Sequence, residues 1–515
     1  MQYSEHRPEG PPGRSDRYLW KIGKELNRKL IAMFRKLERP ALRLPARQRQ
    51  ELAGVLVEFA EDIHCNIGMW RSLEDYNQQF FGTRLPFLGE PGDVAAAGID
   101  RHRIQHLLWG MYLILNPDMV LSPTHPDLSR LSEWVAAFLN DRFVSMPRDS
   151  GVANFLAGPT QFGWDIKRKL VWMGRHSYLF RNLFRGYIEG SGGDEGISET
   201  DDFVCQQTTA WSGLGVVDIL AGSLDIMAQQ REDLRGWYER HMACYKVLSV
   251  HGPLVEVLNI ISDTPYTVRV GEDHAPRFHE IGYFLGSLVP WNGEWYVSGN
   301  QRVWPRMSDE SQAKLKDGFL TKTPAVAYRY CKDLARKAAQ STRQRFEEFV
   351  ALHGGDLAVY PDGLSLAADW QKRGPISSAS RPEKEVKEVM EKSGLKNPCP
   401  NLSLSDDLLR SDNGVAVLFR PDLGMEIVPG YCDIARGMEK RGHDLEADER
   451  LALREMIMAE TVSPEFVNRL VREHGADSIL SALLLPRNCS YALDFMLRRH
   501  KGSDFRNRYP TLAFV

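Results

Sequence analysis

The chain has 515 residues, 43% apolar and 26% charged, with a formal net charge of −3. One hydrophobic core does not grow to that length, so several domains are expected, and the near-neutral balance excludes a global pull toward nucleic acid or anionic membrane, leaving any such binding to local patches. No run approaches the roughly 18 apolar residues of a membrane span. The polar start lacks a secretory apolar region, and the seven scattered cysteines, never arranged as Cys-x-x-Cys, point to a reducing cytoplasm.

Residues 1–17 read as a disordered leader. From Tyr18 the pattern is helical: Leu19, Ile22, Leu26, Leu30, Met33 and Phe34 recur at three- and four-residue steps. Further helices are expected around Leu52–Phe59, at 102–116, at 128–141, as one amphipathic stretch at 164–189, and over most of 203–242. Alternating apolar segments at 245–250, 254–261, 266–270, 283–289 and 294–298 read as short strands, punctuated by Gly252-Pro253, Thr264-Pro265 and Asn292-Gly293. Five or six strands in so short a stretch suit a small closed barrel. A long helix at 324–352, a strand at 357–360, a polar linker helix within 373–404, a β-hairpin at 414–419 and 424–428, and a helix starting at Ser463-Pro464-Glu465 complete the pattern.

The expected fold is mainly α and multidomain, with helical N- and C-terminal regions around a central small SH3-like or OB-like β-barrel. The expected divisions are the leader 1–17, a helical domain 18–243, the barrel module 244–305, a helical region 306–372, the linker 373–404, and a hairpin plus helical domain 405–515.

The strongest chemical signal is electrostatic. Between Arg14 and Arg49 stand twelve Lys or Arg against three acids, a local charge of +9. Lys21, Lys24, Arg28, Arg35 and Lys36 lie largely off the apolar stripe there. The 164–189 stretch adds Lys167, Arg168, Lys169, Arg175, Arg181 and Arg185 among Trp164, Trp172, Tyr178, Phe180 and Phe184. The 322–345 stretch adds Arg336 and Lys337 among seven cations against one acid. Such stripes neutralise phosphates, and interleaved aromatics, with Trp291 and Trp295 of the barrel, can stack bases. The competing reading is a solvated basic face with aromatics serving as core.

A second signal is His102 and His106 at i, i+4, with His125 and Asp127 from the next loop, a set that suits a divalent metal. No His-Glu-x-x-His motif accompanies it. Glu195, Glu199, Asp201, Asp202 and Asp218 are clustered acids with Mg²⁺-binding chemistry or, more simply, a solvated surface. Asp362, Asp369 and Lys372 miss the acid-spacer-Lys spacing of a restriction-type nuclease core by one residue. Neither a Gly-rich phosphate loop nor a Gly-x-Ser-x-Gly elbow is present.

The phrases Trp70-Arg71-Ser72-Leu73-Glu74, Leu121-Ser122-Pro123-Thr124-His125, Pro290–Gly299, Val359-Tyr360-Pro361-Asp362-Gly363 and Arg498-Arg499-His500-Lys501-Gly502 together resemble an uncharacterised bacterial family of the domain-of-unknown-function kind, from about residue 50 to the end. The resemblance implies a bacterial cytoplasmic protein of mixed helical and β-module build and carries no catalytic residues. The sequence therefore favours a binding or accessory protein for nucleic acid or a ribonucleoprotein, without cofactor or membrane partner. A metal-dependent hydrolase or nuclease, or a protein–protein scaffold, are the alternatives.

Overall fold

A computed structural model describes residues 7–8, 13–89, 99–322, 331–379 and 404–506. Helices dominate both ends, with a five-stranded mixed sheet between. The chain falls into two compact units: residues up to Leu334 with Leu484–Arg506, and Ala335–Leu483.

In the first unit the helices are α1 (Arg14–Phe34), α2 (Ala46–His64), α3 (Met69–Phe81), α4 (Arg101–Leu115), α5 (Pro126–Phe143), α6 (Gly151–Leu156), α7 (Gly163–His176), α8 (Arg181–Gly190), α9 (Ile197–Gln206), α10 (Val216–Ser223), α11 (Ala228–Arg235) and α12 (Asp309–Lys322). Helix α1 starts earlier than the apolar stripe suggests. Its first N–H groups find carboxylates: Asp16 accepts from Gly13 N (2.6 Å), and Asp149 accepts from Arg14 N and Ser15 N (3.2 and 3.0 Å). Arg7 pairs with Asp16 at 2.8 Å. Ordered structure thus reaches into the 1–17 segment expected to be a leader; residues 1–6 and 9–12 lie outside the described residues.

The single helix expected at 164–189 is two, α7 and α8, because the backbone turns extended at Ser177. The next residue, Tyr178, is buried and donates to Asp62 (2.7 Å). The same carboxylate accepts from the Gly68, Met69 and Trp70 N–H groups (2.8, 3.2 and 2.7 Å), starting α3 where Gly68 has no side chain to cap it. Burial raises the Asp62 pKa, while the Tyr178 hydroxyl and these three amides oppose that rise. The Trp70–Glu74 phrase is structural too: Trp70 Nε1 donates to Glu74 (2.8 Å), which Arg103 clamps at 2.7 and 2.9 Å.

The strands are β1 (His241–His251), β2 (Leu254–Asn259), β3 (Thr264–Arg269), β4 (Tyr283–Trp291) and β5 (Glu294–Trp304). Their order is β1-β2-β3-β5-β4, and β4 also pairs with β1. All pairs are antiparallel except β3 with β5, which meet in parallel at Val268 and Trp295. Asn292 and Gly293 both have positive φ (51° and 78°), the conformation a two-residue hairpin turn requires. As period-2 alternation demands, Trp295 points inward, its ring 4.8 Å from Tyr266, while Tyr296 points out toward α7.

The outer face of β5 docks on α7. Gly163 lies under the Tyr296 ring, where a Cβ would sit 2.5 Å from Cγ. One helical turn on, Lys167 Nζ donates to Ser298 Oγ at 3.0 Å. Four helical residues rise about 6 Å and two strand residues about 6.6 Å, so the two contacts share one register. Asp201 of α9 closes the seam: it is ion-paired to both Lys167 and Arg240 and accepts from Ser298 Oγ (2.9 and 3.0 Å). Its carboxylate is 2% exposed.

In the second unit the helices are α13 (Lys332–His353), α14 (Gly363–Ala379), α15 (Asp406–Leu409), α16 (Tyr431–Glu439), α17 (Ala447–Met458), α18 (Pro464–His474) and α19 (Asp477–Ala482); α20 (Ala492–His500) belongs to the first unit. The expected hairpin is β7 (Val415–Arg420) and β8 (Gly424–Pro429), and the strand β6 (Leu357–Tyr360) pairs antiparallel onto β7. Strand β7, central and buried throughout, packs with Leu366 of α14. Ser463 caps α18, accepting from Phe466 N at 3.1 Å. Helix α14 runs on to Ala379, and the rest of the expected linker up to residue 403 lies outside the described residues, as does 324–330 of the expected long helix.

Removing the buried Asp201 carboxylate takes away the charged partner of Lys167 and leaves Arg240 to Asp202 and Gln206. Asp201→Ala is therefore expected to lose about 3 kcal/mol of stability in urea unfolding, the low end for a broken buried pair because other partners remain, with Asp201→Asn losing less.

Candidate nucleic-acid interface

Helix α1 buries Leu19, Ile22, Leu26, Leu30 and Phe34. Its opposite side exposes Arg17, Lys21, Lys24 and Arg28, continued by Arg35 at the helix end. At 100° per residue these five fall within a sector of about 60° and span about 27 Å. Among the described residues no carboxylate pairs with any of them; Glu25, on the flank, pairs with Lys29 and Arg142. Trp20 is 39% exposed beside the stripe, with Lys24 Nζ 3.4 Å from its ring centroid. The apolar spacing already placed Lys21, Lys24, Arg28 and Arg35 off the core. Arg17 shares their phase, and the same phase sets Trp20 at the edge of that face.

The other sequence candidates separate. Lys167 sits in the Asp201 seam. Lys169 is 2% exposed and donates to the Gly158 and Pro159 carbonyls, both at 2.7 Å, at the end of α6. Burial lowers its pKa. Arg175 is ion-paired to Glu195. Trp291 is fully buried and donates to the Thr160 carbonyl (3.0 Å), and Trp295 is core-facing. Arg175 and Glu195 pair at the surface, and the other four are turned to internal contacts, because the fold brings a carboxylate, a carbonyl or an apolar pocket to each. Arg168 is exposed on α7, and Arg336 and Lys337 are exposed on α13 of the second unit. Trp172, Tyr178, Phe180 and Phe184 are core.

The histidine set does not converge. His106 is 2% exposed, ringed by Trp70, Trp109 and Phe495, and burial, aided by Arg499, pushes its pKa down to about 3. His102 lies 3.6 Å from Asp100, the residue that caps α4. His125 caps α5, its Nδ1 accepting from Asp127 N (3.1 Å). Burial opposes ionisation of Asp127, yet the Arg39 and Glu38 amides and Arg130 hold its pKa below the ordinary carboxylate value. Among the described residues no group of three His, Cys, Asp or Glu side chains is arranged to hold a metal ion.

The clustered acids have structural partners as well. Asp202 accepts from Tyr187 and Gln207 (2.7 and 2.9 Å), and Asp218 caps Gly215 N (2.8 Å). Asp362 caps Ser365 N, and Tyr360 donates to Asp369, both at 2.6 Å.

Residues 22–193 match a family described as a protein of unknown function, DUF3843. That part of the chain is thus similar to an uncharacterised family. The match spans α1 from Ile22 through α8 and excludes the phrases at 290–299, 359–363 and 498–502, so its reach is shorter than the resemblance drawn from them. No curated protein and no solved structure matches the chain.

Because His106 is neutral when folded and titrates near 6.5 when unfolded, protons favour the unfolded chain below that value. Its contribution is fully present above pH ~6.5 and declines as pH falls toward 3. Between pH 6.5 and 5 this amounts to about 2 kcal/mol. Urea unfolding at stepped pH should show the decline, and His106→Gln should remove the share due to His106 while His500, whose pKa burial also pushes down to about 3, keeps its own.

Proposed function

We propose that this protein is a cytoplasmic binding or accessory factor that holds nucleic acid, free or within a ribonucleoprotein, through the cationic face of α1. The observation that carries the reading is the stripe of Arg17, Lys21, Lys24, Arg28 and Arg35, exposed, on one helix face and without carboxylate partners among the described residues. An anionic polymer is the ligand that such a row recognises without sequence preference, because each neutralised phosphate releases a counterion. Trp20 adds an aromatic surface beside it.

We read the closed five-stranded sheet as a small OB-like barrel rather than an SH3-like one. The order β1-β2-β3-β5-β4 with β3 and β5 parallel supports this. Its hairpin tip is not a free platform: Asn292 N donates to Asp233 (2.9 Å), Asn292 Nδ2 to the Gln161 carbonyl (3.0 Å), and Trp237 Nε1 to the Pro290 carbonyl (2.7 Å). The proposal therefore rests on the helix and not on Trp291 or Trp295.

Binding to RNA and DNA oligomers across a salt series tests it. The triple variant Lys21→Glu, Lys24→Glu, Arg28→Glu should weaken binding and make the slope of log affinity against log salt shallower by about 2 to 3. No detectable affinity of the wild-type protein at low salt, or an unchanged slope in the variant, would remove the reading.

A further inference from the structure

Where α7 meets the sheet, a small rim of planar side chains reaches solvent. Phe162 and Trp164 are stacked, with centroids 4.6 Å apart and planes at 29°. Trp164 is 39% exposed. Beneath it Tyr296 packs edge-on at 5.5 Å and is itself buried, forming a floor. From β3, the Arg269 guanidinium carbon lies 5.9 Å from the Phe162 centroid. Glu294 holds that guanidinium by two of its nitrogens, one at 2.5 Å. Arg168, one turn after Trp164, is exposed and has no carboxylate partner among the described residues.

Three features narrow the ligand. The fork of Arg269 is already occupied by a carboxylate, so what it offers a ligand is its planar face and not a bidentate grip on phosphate. The charges nearly cancel, with Arg168 and Arg269 against Glu294 and Asp165, so the rim does not attract a polyanion by field alone. Partly exposed aromatic faces beside a guanidinium plane instead suit a flat, uncharged ring system, and stacking of that kind tolerates any base.

We propose that this rim stacks an unpaired nucleobase, which makes the ligand of the protein a single-stranded nucleic acid. The inference rests on the nucleic-acid reading of α1 and adds to it: α1 supplies salt-dependent attraction, and the rim supplies a contact that depends on the base. Bases inside a duplex are already stacked on each other and do not reach such a rim. The rim also borders β3 and the turn between β4 and β5, the side on which barrels of OB-like order take oligonucleotides.

The test uses the full chain and two labelled probes. One is a thymidine homopolymer of about 20 nucleotides, longer than the footprint of one such barrel; the other is an abasic strand of equal length. Trp164→Ala should weaken binding of the thymidine strand roughly 5- to 100-fold, leave the abasic strand unaffected and leave the salt slope unchanged. Trp164→Phe, which keeps an aromatic face, should recover most of the loss. If Trp164→Ala binds the thymidine strand as the wild type does, or loses equally on both strands, the rim is not a base site, and the α1 reading stands on its own salt dependence. If the wild-type protein binds neither strand at low salt, the α1 reading fails and takes this inference with it.

Discussion

The buried carboxylate of Asp201 is the point on which the first unit depends. It receives Lys167 from α7, Arg240 from the segment before β1, and Ser298 from β5, so three parts of the chain meet on one pair of oxygens. A buried network of this kind adds little net energy over an apolar contact of equal volume, because desolvating the ions offsets their attraction. What it provides is register. Ser298 and Tyr296 lie on the same face of β5, two residues apart, and their counterparts on α7, Lys167 and Gly163, lie one turn apart. A shift of the strand by one residue would place Val297 against the ammonium and turn Trp295 out of the sheet interior.

This seam also explains why density of basic residues in the sequence is a poor guide to surface charge. Helices α1 and α7 are both rich in Lys and Arg, yet their cations have opposite fates. On α1 the cations share one helical phase, opposite Leu19, Ile22 and Leu26, and the neighbouring acids engage other partners. On α7 Lys167 and Lys169 fall on the buried side, where Asp201 and the carbonyls that end α6 receive them. Long cationic side chains tolerate burial when acceptors surround the head: Asp201 and Ser298 do this for Lys167, and the Gly158 and Pro159 carbonyls for Lys169.

The residues that invite a catalytic reading are mostly fold-builders. His125, Asp218 and Asp362 each cap a helix or the turn that begins one, as Asp100 beside His102 does for α4. Asp62 starts α3 and anchors Tyr178 at the bend between α7 and α8. Short polar side chains next to turns are selected by unsatisfied N–H groups as readily as by chemistry. A run of them therefore marks helix starts before it marks a site.

Local pattern alone was enough to place α2, α4 and α5, the five central strands, the Asn292-Gly293 turn, the β7–β8 hairpin and the Ser463 cap, because each follows from period, turn chemistry or capping within a dozen residues. It was also enough for the core and outer faces of α1, and so for Lys21, Lys24 and Arg28. The bend at Ser177, the early start of α1 on Asp149, the addition of β6 to β7 and the return of Leu484–Arg506 to the first unit are set by partners distant in sequence. The same holds for the burial of Lys167, Lys169 and Trp291, and for the pairing of Phe162 and Trp164 with Arg269. Which cation meets a carboxylate, and which ring meets solvent, depends on the register between elements; a linear pattern carries the phase of each element but not the contact that phase will find.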